Sequence, residues 1–588
     1  MKTKSTPIAN IIYPTKNLCL EERLYFKSDN LSWYSYEDST LYLKEGASVP
    51  FDTYFNSFSL GKWQENTTIE DIELYLETEG HLLCTLYHMD EEHVIHTVSI
   101  NEIKPSQSKI TISIPQSLQG GLLYFTLKGL TESQLKTAHW ATSQDAENIV
   151  KLGLSITTFN RQEAVKASVS RILDFLHKTE IDAHLLVVDN GKNVALEEDS
   201  KLTLIPNENL GGSGGFARGL YHLKEENDDF THCLFMDDDA SCETESIFRT
   251  YQLLAYAKDE RLAVAGSMLL GDKPNIQWEN GANFNQHCMP LKSGFNLYDI
   301  HQILDNDKSV TFDYGGWWFF AFPIAIAEYP YPFFVRGDDV NFGLQEQFQQ
   351  ITMNGIATWG DDFFAKESPL TQYLDTRSHL LHHLQVPKLN NDYLSIMKVF
   401  WRFIIRYAFM YKYASVEAQN EAMKDVLKGP AFFENNIDMK NIFSKIGPLN
   451  NQEKMVEVNI DDYKGSEYCP ELKWHWPMKT IKLITLNSHL MPSFLLNKKL
   501  IILNKNEHRI GAYFRRKEVL LYDSKTRQGF TLQQNKKRFF TLLMESMNLS
   551  YKMFKKRKTL TKEYQDKYTY LTSKEYWEKQ FFPDKDTI

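Results

Sequence analysis

The sequence predicts an α/β protein in three parts: an N-terminal β-sandwich, a central parallel α/β sheet with its helices, and a mainly helical C-terminal region. Three observations carry this expectation. Up to about residue 145, short alternating or β-branched runs are separated by turn residues. From residue 148 the order becomes strand, turn, helix, strand. Beyond Pro387, apolar residues recur at helical spacing. The expected domains are therefore 1–147, 148–386 and 387–588, and a chain of 588 residues is too long for one core.

In the first part, the runs Ile72 to Leu76, His81 to Tyr87, His93 to Ile100, Lys109 to Ile114 and Gly121 to Lys128 are spaced as in a sandwich. Such sandwiches bind sugar or simply pack. The central part opens with the apolar, β-branched run Ile149 to Thr157, the polar turn Thr158-Phe159-Asn160-Arg161 and a helical pattern from Gln162 to Lys178. A second apolar run, Ala183 to Val188, ends in Asp189-Asn190-Gly191. A third leads through Leu234-Phe235-Met236 to three consecutive carboxylates, Asp237, Asp238 and Asp239. Ligands of parallel α/β sheets bind outside the carboxyl ends of the strands. Thr158, Arg161, Asp189 and the Asp triplet are all expected at that edge. Adjacent carboxylates repel, so a hard divalent cation is their natural companion; a solvated acidic turn is the plainer reading.

Between the second and third runs lies Asn209-Leu210-Gly211-Gly212-Ser213-Gly214-Gly215-Phe216. Its glycines permit close backbone approach to a ligand, and the segment then enters a helix. It has neither the ending of a P-loop nor the position of a dinucleotide fingerprint.

Composition sets limits on function. With 42% hydrophobic and 24% charged residues, the chain reads as an ordinary soluble protein. A net charge of −11 argues against nucleic acid as a partner. Six scattered cysteines form no metal-type pair and suit a reducing compartment. The first residues lack the apolar core of a signal peptide, and three prolines and Glu328 interrupt the apolar stretch Trp317 to Phe334. A cytoplasmic location is the expectation.

Thr157 to Arg161, Val188 to Gly191, Asn209 to Phe216 and Met236 to Asp239, in that order, resemble the motifs of glycosyltransferase family 2. They are most similar to those of the bacterial galactofuranosyltransferases that polymerise galactan. Tyr314-Gly315-Gly316-Trp317-Trp318-Phe319 and Pro332 to Gly343 sharpen the resemblance, which covers residues 148 to 385 in motif and the whole chain in layout. It implies a GT-A catalytic domain behind the sandwich. It also implies inverting transfer of galactofuranose from UDP-galactofuranose to a growing surface glycan such as a galactan, O-antigen or capsule. Asp237 and Asp239 would hold Mn²⁺ or Mg²⁺ on the diphosphate. Thr158, Arg161, Asp189, Asn209 and Asp238 would face the donor. Trp317 and Trp318 would wall the acceptor site, with Glu279 and Asp338 on the acceptor and Asp339 as general base. An N-cap role for the pair Asp338-Asp339 is the plainer reading.

One departure stands out. Where the family carries Trp-His, with the His as third metal ligand, this chain has Trp359-Gly360-Asp361-Asp362. Asp361 or Asp362 is a candidate substitute, the alternative being weaker metal binding or a metal held by two side chains only, and His379, His382 and His383 further on are candidates to return to the site. Two other readings stay open: the same fold with dTDP-rhamnose or UDP-galactopyranose as donor, and a non-catalytic carbohydrate-binding scaffold. The expected partners are the UDP-sugar, a glycan or lipid-linked glycan acceptor, a further copy of the chain, and the inner membrane face. The last expectation rests on the basic run Lys555-Lys556-Arg557-Lys558, which closes an amphipathic helical pattern.

Overall fold

The computed structural model describes residues 5–227, 229–239, 241–345, 347–360, 367–389, 391–463, 467–468, 476–505, 507 and 509–583. The N-terminal part contains two antiparallel sheets. One has Ser32–Ser35, Thr40–Leu43, Ser133–Thr142, Glu73–Glu79 and Lys109–Ser113 in that spatial order, with Thr6–Asn10 added against Ser133–Thr142. The other runs Ser48–Pro50, Leu122–Gly129, Leu82–Met89 and Ile95–Ile103. Alternate residues point inward, Leu74 and Leu76 from the first sheet and Leu82, Cys84 and Leu86 from the second, all fully buried. The strand Ser133–Thr142 escapes a period-two reading for a physical reason. Its register slips between Leu135 and Thr137, so the buried side chains fall at Leu135, Ala138 and Trp140.

The central sheet has seven strands in the order Leu202–Pro206, Ala183–Asp189, Leu152–Thr158, His232–Asp237, Phe320–Pro323, Leu262–Ala265 and Gln349–Ile351. The first four are mutually parallel, and Phe320–Pro323 runs antiparallel to its neighbours. Register places Thr158 beside Asp189 and Thr157 beside Asp237, so three strands end together. The apolar stretch from Trp317 to Phe334 is a buried strand with its turns, and no described helix is long and apolar enough to cross a membrane.

The glycine-rich segment departs from expectation. It is a helix from its first glycine, Gly211–Tyr221, and its glycines approach protein. A Cβ on Gly215 would lie 2.1 Å from Thr157 Cγ2, and one on Gly219 2.0 Å from Ser155 Oγ. The i, i+4 pair thus lets the helix lie directly on the strand Leu152–Thr158. Gly211, at φ +72°, performs the turn into the helix against the Phe334 carbonyl.

The C-terminal region is helical, as expected, with Tyr393–Phe409, Tyr413–Val426 and the 36-residue helix Lys536–Leu571 packed around Pro369–Gln385. It also holds a five-stranded sheet, in which Ile501–Asn504 and Glu518–Asp523 lie at the centre.

A buried polar network joins the sandwich to the central sheet just beyond the Asp triplet. Tyr25 Oη and Thr15 Oγ1 donate to Glu243 at 2.6 and 2.8 Å. Asn10 donates to Glu245 from its backbone N–H at 2.6 Å and its side chain at 2.9 Å, and Arg249 pairs with Glu245 at 3.0 Å.

The glycine contacts give a test. Ala gains about 1 kcal/mol over Gly in a helix, whereas overpacking costs about 1–3 kcal/mol. Gly219→Ala should therefore lower unfolding stability in urea, whereas Gly212→Ala, whose Cβ would meet nothing nearer than 3.5 Å, should not. Equal stability of the two variants would show the helix–strand contact to be looser than described.

Candidate active site

The Asp triplet begins at the last residue of the strand His232–Asp237. Asp238 is held down: Thr158 Oγ1 donates to it at 2.6 Å, Arg161 Nη1 at 3.0 Å, and Ser168 Oγ reaches its carbonyl at 3.2 Å. Arg161 Nη1 also bridges to Asp239 at 2.6 Å. Asp237 is left among like charges. Burial, then Asp239, Asp238, Asp338 and Asp339, push its carboxyl up to about 8.

The second acidic pair arrives on the short helix Asp338–Leu344. The preceding turn holds Phe334, Arg336 and Gly337 at φ +69°, +66° and +97°. Two arginines pin it. Arg336 makes two 2.9 Å bonds to the Asp375 carboxylate, and buried Arg377 donates to the Phe333 carbonyl. The N-cap reading holds only in part, since Asp339 accepts from the Val340 N–H at 2.8 Å. The cap is Gly337, with no side-chain cap bond, and both acids lie inside the first turn. Asp338 accepts from Ser213 Oγ at 3.0 Å, which ties it to the glycine-rich helix. Its carboxyl is raised by burial. Asp339 is pushed up to about 7 by burial and by the Asp338 charge.

Glu279 ends the strand Lys273–Glu279 and is 4% exposed. Its Oε1 has no partner among the described residues, and burial followed by the Asp339 charge raises its carboxyl to about 8. Buried Tyr314 lies close by; Cys288, Glu279 and Asp339 all raise its phenol further after burial. Trp318 is half-buried, its indole anchored to the Gly266 carbonyl at 2.8 Å. Trp317 is a correction. It is 4% exposed in the core, ring to edge with Phe216, Phe235 and Phe342, because the chain turns inward there to start the strand Phe320–Pro323.

The donor-side residues divide. Thr158, Arg161 and Asp238 form one cluster. Asp189 is 2% exposed and folds its own loop, taking backbone N–H bonds from Gly191, Asn193 and Val194 at 2.8, 2.7 and 2.7 Å. Asn209 accepts from the Gly211 N–H at 3.1 Å. His382 lies edge-on to Phe284 and under the Gly337 turn, and burial drives its pKa well below the usual imidazole range. Asp361 and Asp362 lie outside the described residues.

Among the described residues, no group of three His, Cys, Asp or Glu is placed to hold a metal. The fit therefore rests on charge and donor chemistry. Asp237 and Asp239 offer hard oxygens, and the pressure of four neighbouring carboxylates on Asp237 is of the sign a divalent cation would relieve. Three contributors take no role from the sequence: Ser213 and Tyr314, although each lies in a motif named above, and Arg377, which lies in none. Ser213 sits within the quoted glycine run, and its lone hydroxyl among glycines was the one available signal.

A carboxyl raised when folded stabilises the protein while protonated. That stability is full below the ordinary Glu range and is lost as pH rises through about 8 for Glu279. Glu279→Gln, which cannot ionise, should flatten the fall in melting temperature between pH 5 and 9, by about 1.4 kcal/mol per unit of displacement. Parallel melting curves for parent and variant would refute the buried, unpaired placement.

Residues 11–143 match the family described as Galactofuranosyltransferase 2 N-terminal, and residues 154–325 that described as Glycosyl transferase family 2. A galactofuranosyltransferase GlfT2 of Mycobacterium tuberculosis is 24% identical, covering 93% of this chain and 92% of its own. That of Mycolicibacterium smegmatis is 27% identical over 65% of this chain and 64% of its own. Among solved structures, the mannosyltransferase PcManGT from Pyrobaculum calidifontis aligns with 48% of this chain and 76% of its own, at 10% identity and a TM-score of 0.28; a likeness so slight carries no argument.

Proposed function

From the premise that this chain is a glycosyltransferase of family 2, similar along most of its length to galactofuranosyltransferases, we propose that it transfers galactofuranose from UDP-galactofuranose to a growing bacterial surface glycan with inversion. The observation that carries this reading is the meeting of two acidic sets, the Asp triplet and the Asp338-Asp339 pair, close enough for their charges to act on Asp237. One set suits a donor diphosphate and the other an acceptor hydroxyl.

Asp339 is the general base. Its carboxyl, raised to about 7, is about half ionised at neutral pH and basic enough to take the acceptor proton. Asp338, fixed by Ser213, orients the hydroxyl. Glu279, protonated at neutral pH, donates to a neighbouring acceptor oxygen, and Trp318 lines the same side. Thr158 and Arg161 lock Asp238 and so set the position of the donor edge. Asp189 and Asn209 shape the loops on which the nucleotide rests. Asp237 and Asp239 would hold Mn²⁺ or Mg²⁺, which when bound offsets charge on the departing diphosphate. Asp361 remains the proposed third ligand. We place the reaction in the cytoplasm, at the inner face of the membrane.

A donor screen with product analysis tests the assignment. UDP-galactofuranose should be turned over, and a preference for dTDP-rhamnose or UDP-galactopyranose would overturn it. Asp339→Asn keeps shape but removes the charge. Its kcat should fall by about 10²–10⁴, with donor affinity by calorimetry unchanged, and a rate within about threefold of the parent would misplace the base. In the parent, kcat/KM should rise with pH through about 7 as Asp339 loses its proton. Asp237→Ala or Asp239→Ala should abolish turnover while preserving the melting curve, and chelator should do the same to the parent.

A further inference from the structure

The helix Tyr393–Phe409 contains no acidic residue, yet it carries Lys398, Arg402 and Arg406. Their spacing of four residues sets the three cations on one face, over about 12 Å of helix axis. Lys398 and Arg402 are exposed and Arg406 is half-buried. Like charges one turn apart are unfavourable. In a chain of net charge −11, carboxylates from neighbouring elements are the natural compensation.

That compensation is missing. Among the described ion pairs, none of the three meets a carboxylate, and the acids whose charges reach the adjacent Tyr407 are engaged elsewhere. Asp375 holds Arg336 through two 2.9 Å bonds, and Glu367 takes Lys412 at 2.6 Å together with the Tyr407 hydroxyl. Arg402 Nη1 donates at 2.8 Å to His287 Nδ1, whose lone pair brings no charge. Burial and the Arg406 charge hold the Arg402 guanidinium below its ordinary range. Arg406 Nε is buried without a partner among the described residues.

The row passes the acceptor side of the site. His287 stands at the turn between the paired strands Ala282–Phe284 and Cys288–Pro290. The next residue, Cys288, bonds to Tyr314 and lies within reach of the Asp339 and Glu279 charges. Phe284 of the same hairpin packs on His379, which meets Phe403 of the helix edge-on at 5.1 Å. One turn further along the helix, Arg406 shares Tyr407 with Arg336, two residues before Asp338.

We propose that Lys398, Arg402 and Arg406 form an oxyanion subsite for the acceptor, so that the glycan extended here carries negatively charged substituents, phosphodiester or uronate carboxylate, behind the accepting sugar. A guanidinium fork matches either anion with two parallel bonds, and Lys398 adds a point charge further out. A neutral glycan would leave the row with nothing to offset its own repulsion. The proposal rests on the transfer reading above, because it names the acceptor class of that same site.

The test measures binding to the full chain by calorimetry without donor. Its probes are trigalacturonate, a galactotriose joined by phosphodiesters and a neutral galactotriose. One or both anionic probes should bind about tenfold or more tightly than the neutral one, with an affinity that falls as salt rises. The tighter of the two identifies the anion. Arg402→Gln with Arg406→Gln should erase this advantage, whereas Arg402→Lys with Arg406→Lys, which keeps the charges but not the forks, should retain part of it. Lys398→Gln, at an exposed position that cannot disturb the core, should reduce it about twofold. Melting curves identify any variant that fails to fold, and the remaining ones then decide. Equal affinity for the three probes, or an advantage that the folded Gln variants retain in full, would overturn the proposal. So would displacement of the anionic probe by UDP, which would assign the row to the donor. Failure of sugar transfer from every donor while the anionic probe still binds would count against the transfer reading and leave the subsite standing.

Discussion

Negative charge gathered at one sheet edge is the constraint to which the central fold answers. Two like charges about 5 Å apart cost roughly 3 kcal/mol at an effective dielectric of 20, and this edge brings the Asp triplet, the Asp338-Asp339 pair and Glu279 within mutual reach. Only part of that cost is offset by protein. Arg161 spans two of the triplet, Thr158 and Ser213 each satisfy one oxygen, and buried Arg377 lies behind Asp338. The remainder appears as raised carboxyls. A site held in this state holds protons, and a bound cation would relieve it, which suits transfer to a hydroxyl with loss of a nucleotide.

The helix that starts at Gly211 makes this possible. Without Gly215 and Gly219 on the strand Leu152–Thr158, the helix axis would stand further out, and Ser213 would not reach Asp338. Glycine there acts through protein packing, whereas its composition alone reads as a ligand loop.

Much of this was legible from residues. The strands Leu152–Thr158, Ala183–Asp189 and His232–Asp237 stand out because both faces are buried, so apolar runs need no alternation. The strand Ser133–Thr142 did not, since a bulge broke its period, and the two-residue strands of the C-terminal sheet are too short to have one. In the site, the strand-end acids followed from position. Trp317 did not, because two adjacent tryptophans look alike in sequence and only the inward turn separates the buried ring from the half-buried one. Ser213 and Tyr314 lie in recognisable motifs, but their partners, like those of Arg377, come from tertiary approach, which no local pattern encodes.

Glu243 and Glu245 give the sandwich a standing that its sequence position hides. Each is almost fully buried, and each takes its hydrogen bonds across the boundary, from Thr15, Tyr25 and Asn10. Cut between the two parts, and the helix next to the Asp triplet would face water with an apolar surface and two carboxylates shaped for absent donors. The N-terminal part is therefore no detachable appendage. Recombination that exchanges sandwiches among relatives must carry the three donors along with the two acids, so in chimeras the heritable unit is the pair of domains, with its seam inside the hydrogen-bond network.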